Sequence, residues 1–227
     1  MFAGRMAGGG TRSQIFGSRT YGSGYPNVAG RGVAGRGFPF YFWPLAWPLA
    51  IGAGAGIGGA AYLHSTDEYG LPSNNSRPGG SLMTATFSSN SGNTTFRVVS
   101  DNSTVASLIE DINANCTSYI SGNHSTSPSP FPDSSSVDAP KPEQVVQYYR
   151  ASSIALALEG YNNTATYADE GTLDSPLPNG VDSLLMDCMN QTIGLAAPLL
   201  DGANLCFVPS MGTMFLVWLL LRVGSVF

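Results

Sequence analysis

The residues of this chain most able to carry chemistry are asparagines in glycosylation triplets. Seven N-x-S/T triplets begin at Asn74, Asn93, Asn102, Asn115, Asn123, Asn162 and Asn190. Such a triplet accepts an N-linked sugar in proteins that enter the secretory pathway. Serine and threonine are so common here that some triplets are expected by chance. We predict that several of the seven carry glycans.

The cysteines form the second candidate constellation. Cys116 and Cys188 fall on the apolar faces of two predicted helices, and Cys206 begins the last apolar run. In an oxidising compartment the first two could pair and close a loop of about 70 residues, which the chain-entropy estimate values at about 4 kcal/mol. We predict this disulfide; two buried thiols are the alternative.

Catalytic and metal-binding patterns are sparse. The histidines His64 and His124 both fall in predicted linkers, and no GxSxG elbow occurs. We predict no catalytic residue, no metal site, no cofactor and no enzymatic activity. The competing class is a luminal enzyme that acts on glycans or lipids, which would need two carboxylates brought together in one cleft.

A glycine pattern resembling a dinucleotide-binding turn occurs at Gly54, Gly56 and Gly59. Its context opposes that function, because Pro44 and Pro48 would interrupt the strand that must precede the turn. No acidic residue follows at the required distance. We therefore predict no nucleotide site.

The same glycines belong to an apolar stretch, Phe38 to Leu63, that carries no charge and is long enough to cross a bilayer as a helix. We predict a transmembrane signal-anchor over 38–63. Gly52 with Gly56 and Gly54 with Gly58 form overlapping GxxxG pairs, which predict a helix-dimer seam and a homodimer.

Charge divides the chain at this stretch. The whole chain has a net charge of −5, yet residues 1–63 contain arginines and no acid, and all 15 acids follow. Basic residues stay on the cytosolic side of a span, so we predict a cytosolic N-terminus and place residues 64–204 in the lumen or outside the cell. Residues 1–37 read as a disordered Gly/Arg-rich tail; RNA binding by this tail and a mitochondrial transit peptide are the alternatives.

The acidic part predicts a small α+β domain over 81–201, after a juxtamembrane linker at 64–80. Strands are expected at 82–87, 94–100 and 153–161, and helices at 103–120, 142–150 and 182–200, with a Ser/Pro linker at 122–141. For 153–161 the alternative is continuation of the preceding helix, because alanine and leucine favour helices. The three helices would cover one face of a short antiparallel sheet. A second hydrophobic segment at 205–221 is either a span or a lipid-anchor signal.

The runs RTYGSGYPNVAGRGVAGRGFPFYFWPLAW, EYGLPSNNSRPGG and PEQVVQYYRASSIALALEGYNNT resemble a group of uncharacterised fungal membrane proteins of basidiomycete type. The resemblance implies a membrane-anchored glycoprotein layout and no particular activity. The sequence thus predicts a membrane-anchored glycoprotein of the secretory pathway or plasma membrane with an interaction, sensing or structural role. Its expected partners are the lipid bilayer, a second copy and a protein or cell-wall glycan; nucleic acid is not expected.

Overall fold

A computed structural model describes residues 5, 8–25, 30–48, 60–132, 136 and 138–200 of the 227-residue chain. Its centre is a six-stranded antiparallel sheet in which β3, β1, β2, β6 and β5 are neighbours in that order, and β4 pairs with β1 beside β3. The strands are β1 Leu82–Ser89, β2 Thr95–Asp101, β3 Ile120–His124, β4 Ser129–Pro130, β5 Val145–Tyr149 and β6 Ile154–Leu158.

Among the described residues, three α-helices accompany the sheet: α1 Thr66–Tyr69, α2 Asn102–Cys116 and α3 Ser183–Ala196. The two long helices begin at aspartate caps, because Asp101 accepts the Thr104 amide and Asp182 accepts the amides of Leu184 and Leu185. Helix α2 turns its Val105, Leu108, Ile112 stripe into the core. The two helices pack together and are joined by the Cys116–Cys188 disulfide.

Residues near the N-terminus form a third layer, which we call the N-terminal layer and define as residues 8–25 and 30–48. It begins as an extra partner of β5, with hydrogen bonds from Gly17 N to Tyr148 O (3.0 Å) and from Arg150 N to Ile15 O (2.7 Å). It then crosses the sheet, and the Trp47 ring reaches Phe131, next to β4. Apart from a three-residue 3-10 helix at Arg12–Gln14, this layer has no helix or strand of its own among the described residues.

Adjacent tyrosines of β5 show that the sheet is covered on both faces. Tyr148 packs edge-to-face on Tyr21 of the N-terminal layer, whereas the Tyr149 hydroxyl donates to Asn190 of α3 (2.7 Å). Since successive side chains of a strand point to opposite faces, helices cover one face and the N-terminal layer the other. All five residues of β6 are consequently buried.

The predicted membrane segment is wrong in the part that the structure describes. Residues 38–48 form no helix, which fits the interruptions at Pro39, Pro44 and Pro48. Their large side chains lie in the protein core instead: Phe38, Phe40, Phe42, Leu45 and Trp47 are all buried. The glycines of the predicted dimer seam, Gly52, Gly54, Gly56 and Gly58, and the 205–221 segment lie outside the described residues.

Within the described ranges, no helix combines the length and the apolar character needed to cross a membrane. The predicted membrane localisation is contradicted by a second observation as well. It separates residues 1–37 from 64–204 by a bilayer, yet Gly17 bonds to Tyr148, and Arg12 donates to Ala197 O (2.5 Å) at the end of α3. Residues that share hydrogen bonds lie on one side of any membrane.

The predicted disorder of the Gly/Arg-rich tail is also wrong for its described residues, because Ile15, Tyr21, Tyr25 and Val33 are buried. Glycine makes the close packing possible. At Gly22 the backbone has a φ of +89°, and an added Cβ would lie 2.4 Å from the carbonyl oxygen of Gly32. Two irregular segments of the N-terminal layer, around Gly22 and Gly32, meet there without a side chain between them.

The fold has six strands rather than the predicted three, and the differences have local causes. The expected helix over 142–150 is a 3-10 turn followed by β5, because Val145, Val146, Tyr148 and Tyr149 are β-branched or aromatic and find a partner in β6. The expected linker at 122–141 contains the end of β3 and all of β4. Both of these strands pair with β1, a partner about 40 residues earlier in the chain that local sequence pattern does not reveal.

Candidate functional site

The most concentrated polar cluster is buried around Arg150, in the turn between β5 and β6. Its Nη2 lies 2.8 Å from the Asp101 carboxylate, its Nη1 donates to Pro198 O (2.7 Å), and its Nε donates to Ser153 Oγ (2.7 Å). The guanidinium carbon lies 3.4 Å from the centroid of the Phe42 ring. Asp101, Pro198 and Phe42 belong to the start of α2, the chain after α3 and the N-terminal layer, so one side chain joins three parts of the fold.

The backbone of this turn is unusual. Arg150, Ala151 and Ser152 all have positive φ values of 50°, 51° and 62°. Residues other than glycine rarely adopt this conformation, and each instance costs free energy that surrounding contacts must offset. Here the amide of Leu45 donates to Ser152 O (2.9 Å), and the amide of Gly22 donates to Ser152 Oγ (2.9 Å).

The contacts of this cluster stabilise the fold and leave no group free to bind a substrate. The Arg150 side chain is 0% exposed and that of Asp101 is 4% exposed. Every oxygen and nitrogen contact just described is internal to the protein, and the guanidinium cannot be deprotonated to act as a base. We conclude that the cluster fixes the junction of the layers.

The other described arginines are used in the same way. Each of the eight donates to an oxygen of the protein: Arg5, Arg12, Arg19, Arg31, Arg36, Arg77, Arg97 and Arg150. Arg77 is the clearest case beside Arg150, because it donates to Tyr69 O (2.8 Å) and Pro44 O (2.9 Å) while 4% exposed. Burial lowers the pKa of Arg77 to about 10, with the charge of Asp101 opposing that change.

Buried tyrosines lie in the N-terminal layer and in the elements packed against it. Burial raises the pKa of Tyr69 to about 12, although the hydrogen bond from Arg5 acts in the other direction. Burial likewise raises the pKa values of Tyr21 and Tyr148 well above the usual range. These hydroxyls stay protonated at physiological pH and cannot serve as bases.

Within the described part of the chain, two open grooves have room for a ligand. The first, here called the α3 groove, has a volume of about 200 Å³ and lies between the β5–β6 hairpin and α3; it is lined by Arg19, Val146, Gln147, Leu156, Met186, Asp187 and Asn190. The second has a volume of about 400 Å³ and is lined by small polar residues with Arg31 and Glu170. Each groove contains one carboxylate, Asp187 or Glu170.

The seven predicted glycosylation asparagines fall into two groups. Five are exposed at turns, helix ends and an edge strand: Asn93, Asn102, Asn115, Asn123 and Asn162. The other two, Asn74 and Asn190, are half-buried. Asn74 Oδ1 accepts from the amide of Ser76 (2.9 Å), and Asn190 Oδ1 accepts from Tyr149.

The remaining sequence candidates are scattered. Cys116 and Cys188 come together in the disulfide described above, with Cα atoms 5.9 Å apart, whereas Cys206 lies outside the described residues. His64 binds the carbonyl oxygen of Trp47 (2.7 Å) and His124 that of Ser121 (2.8 Å), so the two histidines occupy separate places. No cluster of three or more metal-ligating side chains occurs in the described part of the chain.

Sequence reasoning missed the Arg150 junction altogether. The only available signal was a lone arginine inside the otherwise uncharged run YYRASSIALAL. A charge at that position must be paired if the run is buried. Its partner, Asp101, is 49 residues away, and no local pattern connects the two.

The fold and these sites define a three-layered α+β domain with one disulfide and exposed glycosylation triplets. No family model, curated protein or solved structure matches the chain. The resemblance to fungal membrane proteins therefore stays a prediction.

Proposed function

We propose that this chain is a disulfide-bonded N-glycoprotein of the secretory pathway whose domain has an interaction, sensing or structural role. The observation that carries the proposal is the Cys116–Cys188 bond between the two long helices. Structural disulfides persist in oxidising compartments and are rare in the cytosol. The exposure of five triplet asparagines makes them suitable glycan acceptors in that same compartment.

The alternative of a luminal enzyme has weaker support. Carboxylate chemistry on glycans uses a pair of acids facing one substrate, and the two grooves hold one acid each. The buried Asp101 is occupied by Arg150, Thr104 and Ser100. An RNA-associated function has weaker support still, because the arginines that would bind phosphate already donate to the protein itself and the net charge is −5.

The test is to direct the full chain into the secretory pathway of a eukaryotic host with a cleavable signal peptide. Intact mass would be measured before and after treatment with peptide N-glycosidase, and thiol labelling with and without reductant. We expect a mass decrease on deglycosylation, and labelling of Cys116 and Cys188 only after reduction. Replacing the five exposed asparagines by glutamine should remove most of the mass decrease.

The control is a secreted glycoprotein from the same host. If the control is modified while this chain has its unmodified mass and freely labelled Cys116 and Cys188, the proposal is wrong. If the Cys116–Cys188 disulfide forms but no sugar is attached, the proposed oxidising compartment stands and the proposed glycoprotein function is wrong.

A further inference from the structure

The α3 groove ends at a glycosylation triplet, and this juxtaposition suggests an occupant. Asn190 is the acceptor of the triplet Asn190-Gln191-Thr192, and it lies in the groove lining. We propose that the groove is the seat of the first N-acetylglucosamine of a glycan linked to Asn190. The inference rests on the proposed glycoprotein function, but it concerns a single site within it.

The orientation of the Asn190 amide is the first support. Its oxygen accepts the hydrogen bond from the hydroxyl of Tyr149, which is 0% exposed, so the oxygen faces the interior. The amide nitrogen, to which a sugar is attached, occupies the other end of the planar amide. Tyr149 therefore holds Asn190 with its nitrogen turned from the core toward the groove.

The lining of the groove is the second support. Met186, which is half-buried, supplies apolar surface for the C–H face of a pyranose ring and its acetyl methyl group, and the buried Val146 and Leu156 complete the lining. Asp187 and Gln147 supply polar groups for its hydroxyl and amide groups. A volume of about 200 Å³ is smaller than the usual pocket of about 300–1,000 Å³ for drug-sized ligands, and suits one sugar ring.

The other half-buried acceptor provides a contrast. Asn74 Oδ1 is bonded to both the amide (2.9 Å) and the hydroxyl (2.7 Å) of Ser76, and a Cβ placed on Gly70 would lie 2.2 Å from Asn74 Nδ2. The backbone of Gly70 thus crowds the nitrogen of Asn74, and Asn74 lines neither of the two grooves described above. Partial burial of the acceptor asparagine is therefore not enough to make a sugar site. Asn190 differs from Asn74 because a groove lies beside it.

The timing of modification follows from the same geometry. Thr192, the hydroxyl residue of the triplet, is 7% exposed, and its Oγ1 lies 3.6 Å from Cys116 Sγ. The transferase must reach this hydroxyl as well as Asn190, so the sugar is added before α3 packs on α2. The first sugar then lies in the open groove once the domain has folded.

The experiment compares release of individual glycans from the folded, full-length protein made in a secretory host. Peptide N-glycosidase converts each released site to aspartate, and mass spectrometry of peptides follows the conversion at Asn190 and at the exposed Asn162. We expect conversion at Asn190 to be slower by about tenfold or more on the native protein, because Asn190 is half-buried and its sugar contacts the groove, whereas Asn162 is exposed. After reduction and denaturation the two rates should agree.

A matched variant tests whether the groove causes the difference. Asp187 is exposed, so Asp187→Ala leaves the core intact while removing one polar contact to the sugar. It should accelerate release at Asn190 and leave Asn162 unchanged. Equal native rates at the two sites, or an Asp187→Ala rate identical to the wild-type rate, would overturn the sugar seat.

The outcomes also separate this inference from the function it rests on. Sugars at other sites with an unmodified Asn190 would overturn the seat and leave the glycoprotein function standing. An absence of sugar at all seven sites would overturn both.

Discussion

The N-terminal layer and the α+β unit after it are both packed into one core, but by different means. In the α+β unit, backbone groups pair in strands and helices, and aspartate caps fix the helix starts. The N-terminal layer has almost no regular structure. Arginine side chains instead bind its backbone to the rest of the protein, as Arg77 does at Pro44 O and Arg5 at Val33 O (2.5 Å).

The difference shows that a Gly/Arg-rich composition does not by itself mean disorder. Such a segment cannot bury enough surface alone. Here its aromatic residues are buried against the sheet, and the carbonyls that lack strand partners accept bonds from guanidinium groups. The N-terminal layer is ordered by contacts with residues far away in sequence.

The largest effect is therefore expected from removing the N-terminal layer. Deletion of residues 1–48 would expose the sheet face that Phe40, Phe42 and Trp47 cover. Each such side chain contributes about 1.5–3 kcal/mol on burial, so the three together contribute about 4.5–9 kcal/mol, which is comparable with the usual net stability of about 5–15 kcal/mol. We expect the remaining chain to lose its near-ultraviolet circular dichroism and its cooperative unfolding.

Deletion of residues 1–4 alone serves as the control and should leave the unfolding transition in place. A truncated 49–227 chain with native-like spectra and a sharp transition would show that the α+β unit folds without the N-terminal layer.

The second prediction concerns Arg150, which connects the two regions through Phe42 and Asp101. Replacing Arg150 by methionine leaves the buried Asp101 carboxylate without its ion pair, and the free energy of unfolding should fall by about 3–5 kcal/mol. Arg150→Lys keeps the charge but not the forked donors that reach Pro198 and Ser153, so it should recover part of the loss. Urea unfolding monitored by tryptophan fluorescence measures all three proteins.

Asp101→Asn gives an independent check, because asparagine keeps the helix cap of α2 while removing the carboxylate charge. In that background the methionine substitution at Arg150 should cost less than it does in the wild type. Additive losses would show that the ion pair with Asp101 does not account for the contribution of Arg150 to stability.

The sequence predicted the parts of this fold that local pattern encodes. The β1–β2 hairpin and helices α2 and α3 follow from periodicity and caps, and the two cysteines on their apolar faces are joined in the structure. The period-two run in β6 was also visible. These elements share one property: their signal lies within about 20 residues.

The N-terminal layer could not be predicted because its apolar residues follow neither a helical nor a strand periodicity. The run from Phe38 to Trp47 has the hydropathy of a membrane segment. Only the positions of its prolines, and the sheet face on which it packs, distinguish this buried irregular segment from a membrane helix. The Arg150 junction was hidden for a related reason. Its contacts with Phe42 and Asp101 span 108 and 49 residues of sequence.

The third prediction tests a single contact between the regions. A Cβ on Gly194 of α3 would lie 1.6 Å from Cζ of Phe16, so Gly194→Ala must displace that ring. We expect a loss of about 1–3 kcal/mol in the free energy of unfolding, as for other overpacked sites. In a Phe16→Ala background the same substitution should become stabilising by up to about 1 kcal/mol, because alanine is the better helix former.

Gly122→Ala in β3 is the matched control, since a Cβ there has no atom within 4 Å. Its effect should not depend on Phe16. If Gly194→Ala has the same effect with and without the Phe16 ring, the N-terminal layer does not pack on α3 at this point.

The smallest effect is expected from acid, which should act on the two ends of α3 differently. The start of α3 is held by Asp182, which accepts hydrogen bonds from Ser89, Ser91 and the first helix amides. Partial burial acts to raise the pKa of Asp182, but these hydrogen bonds outweigh it and lower the pKa. The end of α3 is held by Arg12 of the N-terminal layer, whose guanidinium does not titrate in this range.

Because the folded pKa of Asp182 is below its unfolded value of about 3.9, its contribution is complete above that pH and is lost as the pH falls through the folded pKa. Hydrogen exchange read out at fixed quench conditions should show faster exchange at the amides of Leu184 and Leu185 as acid is approached, after correction for intrinsic rates. The amide of Ala197 should change less. Asp182→Asn keeps a capping oxygen but removes the charge, so the pH dependence of exchange at Leu184 and Leu185 should disappear in this variant. If acid accelerates exchange equally at both ends of α3, then neither the Asp182 cap nor the Arg12 contact governs its own end of the helix.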